Sequence, residues 1–227
     1  MAILNGNVIG NLRGKLGNLS ARIVNGKTIL AARPSSFNAS QDPASLTVRS
    51  KFAVTAKLAS QIISLPTLSV IWKKVQNVAN SVFNEVFQSN FAYSSTERPT
   101  VDNIITPGGF ALPVQAATVL VDNLTMELLA LTSASVFTPE EVNLSANGVI
   151  CYYDPINPAD PAYQFITLNH EIANYTFDQT FELNIAFNVN QEALAAKYQH
   201  SILFFAVASK SADGKVVQNS ATYTKLS

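Results

Sequence analysis

Residues 202–208 read Ile-Leu-Phe-Phe-Ala-Val-Ala, seven apolar residues in a row. Side chains alternate between faces along a strand. Leu203, Phe205 and Val207 therefore fall on one side, and Ile202, Phe204, Ala206 and Ala208 on the other. With both sides apolar, the run predicts a central strand of a sheet. It falls far short of the ~18 apolar residues of a membrane helix, a length that no other stretch of the chain approaches.

The rest of residues 101–227 carries a similar period-two texture. Strands are predicted near Ala117–Val121, Thr125–Leu131, Val149–Tyr153, Gln164–Leu168, Phe181–Phe187, Ser201–Ser209 and Val216–Tyr223. Asp213-Gly214 marks a tight turn between the last two, and Asp154-Pro155 through Asp160-Pro161 marks a loop. Residues 191–199 suit one or two helical turns. Short strands separated by turn signals point to an antiparallel β-sandwich. A chain of 227 residues that is 48% hydrophobic can bury a real core and is not disordered.

The front of the chain differs. Residues 1–41 hold no acidic group and are punctuated by Gly6, Gly10, Gly14 and Gly17, which disfavours a helix. One hairpin is expected there. Leu16–Val24 and Lys27–Ala32 flank Asn25-Gly26, the favoured type I′ pair, which sets Ile23 opposite Thr28 and Ala21 opposite Leu30. Two strands alone are marginal in water, so this arm must find something to pack on. Residues 42–100 read as helical, with Asp42 as N-cap and Pro43 at the first helical position. Val48, Phe52, Ala56, Ala59 and Ile63 form the expected apolar face. Pro66 stops or kinks that helix and pushes Leu65 out of the α region. A second helix follows with the stripe Ile71, Val75, Val78, Val82 and Val86, widened by Trp72, Ala79 and Phe83, and the short join predicts an antiparallel helix pair. The expected class is α+β in three segments: 1–41 a basic Gly-rich arm with a β-hairpin, 42–100 a helical hairpin, and 101–227 an antiparallel β-sandwich.

Charge is divided along the chain. Fifteen basic and fifteen acidic residues cancel. Residues 1–90 carry ten Lys or Arg against Asp42 and Glu85, a net of +8, while residues 91–227 carry five against thirteen, a net of −8. Charged residues are 13% of the chain, about half the usual share of ~25%, and low charge favours association. Opposite halves suit a head-to-tail contact between copies. They also suit two solvated domains with no assembly role.

Two sets of short motifs, in order along the chain, carry a resemblance. The first is Gly14-Lys15-Leu16-Gly17-Asn18, then Asn25-Gly26-Lys27, Arg33-Pro34 and a helix with Arg49-x-Lys51-Phe52. The second is Phe205-x-Val207-x-Ser209, then Ala212-Asp213-Gly214-Lys215 and Asn219-Ser220-x-x-Tyr223. Their order and spacing resemble a bacterial family of unknown function with an N-terminal Gly-Lys-x-Gly-Asn hairpin module. The resemblance implies that the β region is an immunoglobulin- or fibronectin-like domain, and it brings no catalytic residue with it. The chain departs from it in having no Trp in its β region.

Signals for chemistry are weak. His170-Glu171 resembles half of a zinc-binding helix motif, but position 174 is Asn where a second His would be needed. Gly10-x-x-x-Gly14-Lys15 is one residue short of a phosphate loop, and Leu16 replaces the Ser or Thr that would hold magnesium. Cys151 is the only cysteine and sits in an apolar run, which predicts a buried, inert thiol. Glu140-Glu141 after Pro139 reads as a solvated turn. Asp154 and Asp160 lack the alternating ligand pattern of a calcium loop. No cofactor, metal or catalytic residue is expected.

Arg13, Lys15, Arg22, Lys27 and Arg33 lie on the arm and are the expected assembly contacts. They would equally suit phosphates, but no aromatic residue precedes Phe37, so base stacking lacks support and nucleic acid is not the expected partner. The expectation is a non-enzymatic structural subunit whose partner is itself: a filament, a tube or a phage-like virion component. Such a chain would be made in the cytoplasm, since Asn5, Gly6 and Asn7 interrupt any apolar signal segment. The alternative is a binding module that recognises a glycan or protein through sandwich loops, with Tyr152, Tyr153 and Tyr163 as a ligand rim.

Overall fold

The computed structural model describes residues 2–4, 14–24, 26–32, 39–76 and 81–227. Residues 1–45 and 46–227 form two compact units.

In the first unit, β1 (Ala2–Leu4), β2 (Gly14–Leu16), β3 (Leu19–Val24) and β4 (Lys27–Ala32) make an antiparallel sheet in the order β1-β4-β3-β2. The expected register is present, with Ile23 opposite Thr28 and Ala21 opposite Leu30; Asn25 itself lies outside the described residues. The expected strand from Leu16 is instead two strands. Leu16 pairs with Leu19 around Gly17-Asn18, and Gly17 has φ +56°. Asn18 is not at positive φ, so the turn is of type II′, which needs positive φ only at its first central residue and which glycine enters without strain.

The second unit takes up helix α1 (Pro43–Ser64) from Leu46 onward. Asp42 caps the helix as expected, its carboxylate accepting from the N–H groups of Ala44 at 3.1 Å and Ser45 at 3.4 Å. The buried face is Val54, Thr55, Leu58, Ala59 and Ile62, rotated from the expected stripe. Val48 and Phe52 stay more than half exposed, and Phe52 meets Phe87 at a centroid distance of 4.7 Å. Leu65 is extended before Pro66, as the proline demands. Helix α2 (Pro66–Val75) leaves at a 107° bend, so the pair is not antiparallel. The expected second helix is also two. Gln76 is extended, and Ser81 caps α3 (Val82–Phe91), its hydroxyl accepting from the N–H of Asn84 at 3.2 Å. A serine here satisfies an orphan helix-end donor and so begins a new helix.

Eight strands follow: β5 (Val114–Val119), β6 (Asn123–Leu128), β7 (Glu141–Pro155), β8 (Tyr163–Ile172), β9 (Phe181–Ala186), β10 (Tyr198–Ser211), β11 (Val216–Asn219) and β12 (Tyr223–Leu226). A short helix α4 (Val189–Ala195), closed by an Asn188/Gln191 capping box, precedes β10. The predicted strand 216–223 is two strands, both paired with β10. All pairing between these strands is antiparallel. One sheet runs β11-β10-β7-β8 with β12 also on β10, and the other runs β5-β6-β9.

Strand β10 is central, and its two faces serve two cores. Leu203, Phe205 and Val207 join Leu124, Met126, Leu128, Leu183 and Ile185 of the smaller sheet. Ile202, Phe204, Ala206 and Ala208 join Leu58, Ile62, Leu68, Ile71 and Trp72 of the helices. The helices, expected as a segment of their own, thus share a core with the five-stranded sheet. Trp72 is buried, and its indole N–H donates to the Ile105 carbonyl at 2.8 Å.

The segment before β5 is fixed to β11. Phe110 N–H donates to the Asn219 carbonyl at 3.2 Å. Gly109 has φ +130°, and a Cβ there would collide with that same carbonyl oxygen. Gly109→Ala is expected to cost at least ~2 kcal/mol, from backbone strain plus the forced displacement of Asn219. Gly108→Ala, at φ +141° but with open space around its Cβ, carries only the backbone part. Thermal melts should rank wild type above Gly108→Ala and Gly108→Ala above Gly109→Ala.

Candidate functional site

The arm sheet sorts its side chains by register. Residues directly opposite one another point to the same face. Lys15 is opposite Ser20 and Lys27 opposite Val24, while Ser20, Arg22 and Val24 alternate along β3. Lys15, Arg22 and Lys27 therefore share one face, and all three are exposed. Leu19, Ala21, Ile23 and Leu30 share the opposite face. Of the arm residues whose burial is described, Ala21 alone is buried, at 9% exposure. The sheet thus has a cationic side and an apolar side that stays partly in solvent. Arg13 and Arg33 lie outside the described residues.

The three tyrosines do not form one rim. Tyr152 belongs to the core to which both sheets contribute, where its hydroxyl is buried without a partner among the described residues and burial raises its pKa. Tyr153 and Tyr163 are paired across β7 and β8 and face the helices. Each ring already has a cationic neighbour. Arg98 lies 4.0 Å from the Tyr153 centroid and His200 stacks on Tyr153 at 5.5 Å. Lys57 lies 4.5 Å from the Tyr163 centroid and donates to the Tyr163 carbonyl at 3.3 Å and to Gln164 Oε1 at 3.2 Å. Burial lowers the Lys57 pKa and raises that of Tyr163. His200 Nδ1 meets Asp154 Oδ2 at 3.0 Å, with Asp154 itself at φ +56°. Sequence reasoning missed Arg98, Lys57 and His200. Lys57 is 106 residues from Tyr163, and no local pattern links them.

Cys151 is fully buried, and desolvation pushes its thiol up to about 12, against the opposing pull of Lys57 and Arg98. It is no nucleophile at neutral pH. Glu141 is not in a solvated turn: it is buried at the start of β7, and only Glu140 is exposed. His170 lies on β8 beside Glu171, whose carboxylate is held by Lys210 at 2.8 and 2.9 Å and by Ser145 at 2.7 Å.

No protein-family model matches this chain, and no curated protein matches it. Among solved structures, a selenomethionine-labelled β-glucosidase from Kluyveromyces marxianus aligns at 11% identity over 63% of this chain and 17% of its own, with a TM-score of 0.18. The complex of a β-glucosidase from the same organism with glucose aligns at 11% identity over the same shares, with a TM-score of 0.19. This chain therefore covers under a fifth of either enzyme, at a TM-score too low to indicate a shared fold.

Proposed function

We propose that this chain is a non-enzymatic structural subunit that associates with copies of itself through residues 1–41, building a filament, a tube or a virion-like particle of phage type. The observation that carries this reading is the two-sided arm sheet. Leu19, Ile23 and Leu30 form an apolar face that is only half-buried among the described residues, and Lys15, Arg22 and Lys27 lie on the other face. A sheet needs a covered hydrophobic face to be stable in water. A second copy offers both a cover for the apolar face and, in residues 91–227, a net charge of −8 to meet the cations.

The same reading takes the β region as an immunoglobulin- or fibronectin-like sandwich of the bacterial family that the motifs resemble. Its support is that the strands within both sheets pair antiparallel and that both sheets contribute to one hydrophobic core.

Light scattering and negative-stain electron microscopy of the purified chain at low salt should show ordered oligomers. Leu30→Asp, which puts a charge on the apolar face, should leave the far-ultraviolet circular dichroism intact and give monomers. Deleting residues 1–41 removes β1–β4 and should likewise give monomers, with the cooperative unfolding of residues 46–227 retained. Raising salt to 1 M, where the screening length is ~3 Å, should weaken the assembly. A uniform monomer at high concentration and low salt, or assembly that survives the deletion, would refute the reading.

A further inference from the structure

A cleft of about 500 Å³ opens between α2 and the hairpin that joins β10 to β11, within the size range of small-ligand pockets. Pro66, Val70 and Val216 give it an apolar wall, and Lys74, Lys210 and Lys215 surround it with ammonium groups. The three cations are not equally compensated. Lys210 pairs with Glu171 at 2.8 Å and Lys215 with Asp213 at 3.3 Å. Lys74 donates to the carbonyls of Val216 at 2.6 Å and Val217 at 3.4 Å, and among the described residues it meets no carboxylate. A carbonyl accepts a hydrogen bond but cancels no charge. One ammonium without a counter-ion therefore stands beside Val70, which is 46% exposed.

We infer that this cleft binds a small organic monoanion with an apolar body, an alkyl or aryl carboxylate. The carboxylate meets Lys74, and the hydrocarbon covers Val70, Pro66 and Val216. A single charge is called for because a dianion would have to draw Lys210 or Lys215 away from its own carboxylate. An inorganic anion would leave the apolar wall wet and gain nothing from it. Lys74 is already tethered to β11, so ordering its long side chain is not a cost of binding. The inference is independent of the assembly reading, because every residue it uses lies in 46–227.

The test is calorimetric titration of the full chain with octanoate, 1-octanol, octyltrimethylammonium and acetate. Octanoate should bind saturably at one site per chain, octanol at least tenfold more weakly, and the other two not at all. Lys74→Glu and Val70→Asp should each weaken octanoate at least tenfold. Lys73→Glu, an equal charge change on the neighbouring exposed lysine outside the cleft, should leave it unchanged. Val70→Asp keeps the Lys74 side chain but fills the apolar wall with a carboxylate that can also pair with it at i,i+4, so it reports on the cleft even if Lys74→Glu loosens that strand. No saturable octanoate binding, equal affinity for octanol, equal losses in Lys73→Glu and Lys74→Glu, or undiminished octanoate binding in Val70→Asp would each overturn the inference.

Discussion

Alanine in place of Phe205 is expected to destabilise the second unit by about 3–5 kcal/mol, and alanine in place of Phe204 by a similar amount. Both rings are completely buried, and they are neighbours on one strand. Their surroundings differ, which makes the pair informative. Phe205 sits directly across from Gly148, and a Cβ built at Gly148 would lie 3.6 Å from the Phe205 ring and 3.5 Å from Leu168. A Cβ there would be in ordinary contact with the ring, and the glycine's lack of a side chain means that nothing at that position of β7 replaces the ring once it is gone. Phe204 faces the other way, into the cluster that contains Trp72, Leu58 and Ile71. Denaturant unfolding should show both losses. Trp72 is the only tryptophan, so its emission separates the two layers. Phe204→Ala should shift the native emission spectrum and Phe205→Ala should leave it in place. A shift of equal size in both variants would mean that the two faces of β10 do not serve separate cores.

The same strand shows what could be read from the residues alone. Seven apolar residues in period two admit one arrangement, so the central position of β10 and the division of its side chains between faces follow directly. Asp42 and Leu65 were legible for a similar reason, since a cap and a pre-proline residue act on the backbone next to them. The failures have a common cause in contacts that are remote in sequence. The first half of β7 reads Glu-Val-Asn-Leu-Ser-Ala-Asn-Gly, an alternation that by itself assigns the polar residues to a solvated face. Ser145 and Asn147 are in fact buried. Ser145 is satisfied by Thr67, 78 positions away, at 3.0 Å, and by Glu171 at 2.7 Å, while Asn147 accepts from Asn169 at 3.1 Å. A polar residue whose partner lies in another element carries no local mark of burial. On α1 the error was one of phase. Apolar side chains spread over more than one stripe of that helix, and only packing on α2 and the sheet decides which is buried. In the arm, Gly17-Asn18 was a readable turn signal, overlooked because Asn25-Gly26 is the stronger pair. The cationic face is half legible: the register of the Asn25-Gly26 hairpin puts Arg22 and Lys27 on one face, but Lys15 joins them only through the second turn, which sets the register of β2.

Removing the Glu141 carboxylate is expected to weaken the second unit where β7, β10 and β11 meet. One carboxylate oxygen accepts from the backbone N–H of Thr138 at 2.8 Å and from its hydroxyl at 3.1 Å. The other accepts from the Ser209 hydroxyl and from Gln218 Nε2 at 2.9 Å. The carboxylate thus joins the turn before β7 to β10 and β11. Burial by itself raises the pKa of Glu141, but the hydrogen bonds from Ser209, Thr138 and Gln218 outweigh it and hold the group below its ordinary value. Glu141→Ala strands the buried Ser209 hydroxyl and takes one acceptor from the half-buried Gln218 amide and the exposed Thr138, so a loss of about 2–3 kcal/mol is expected. Glu141→Gln keeps the shape but turns an N–H₂ group toward donors, and should cost about 1–3 kcal/mol. The two states of the chain also differ in proton affinity. Because the folded state lowers the pKa, the carboxylate's contribution is complete above the unfolded value of ~4.3 and is lost as pH falls from there through the folded value. Glu171, held down in the same sense by Lys210 and Ser145 against its own burial, adds to the slope. Unfolding free energies measured at pH 7 and at pH 3 should therefore fall more steeply for the wild type than for Glu141→Gln, with the difference between the two proteins shrinking in acid. A gap that is the same at both pH values would show that the Glu141 carboxylate is held by shape alone and not by its charge.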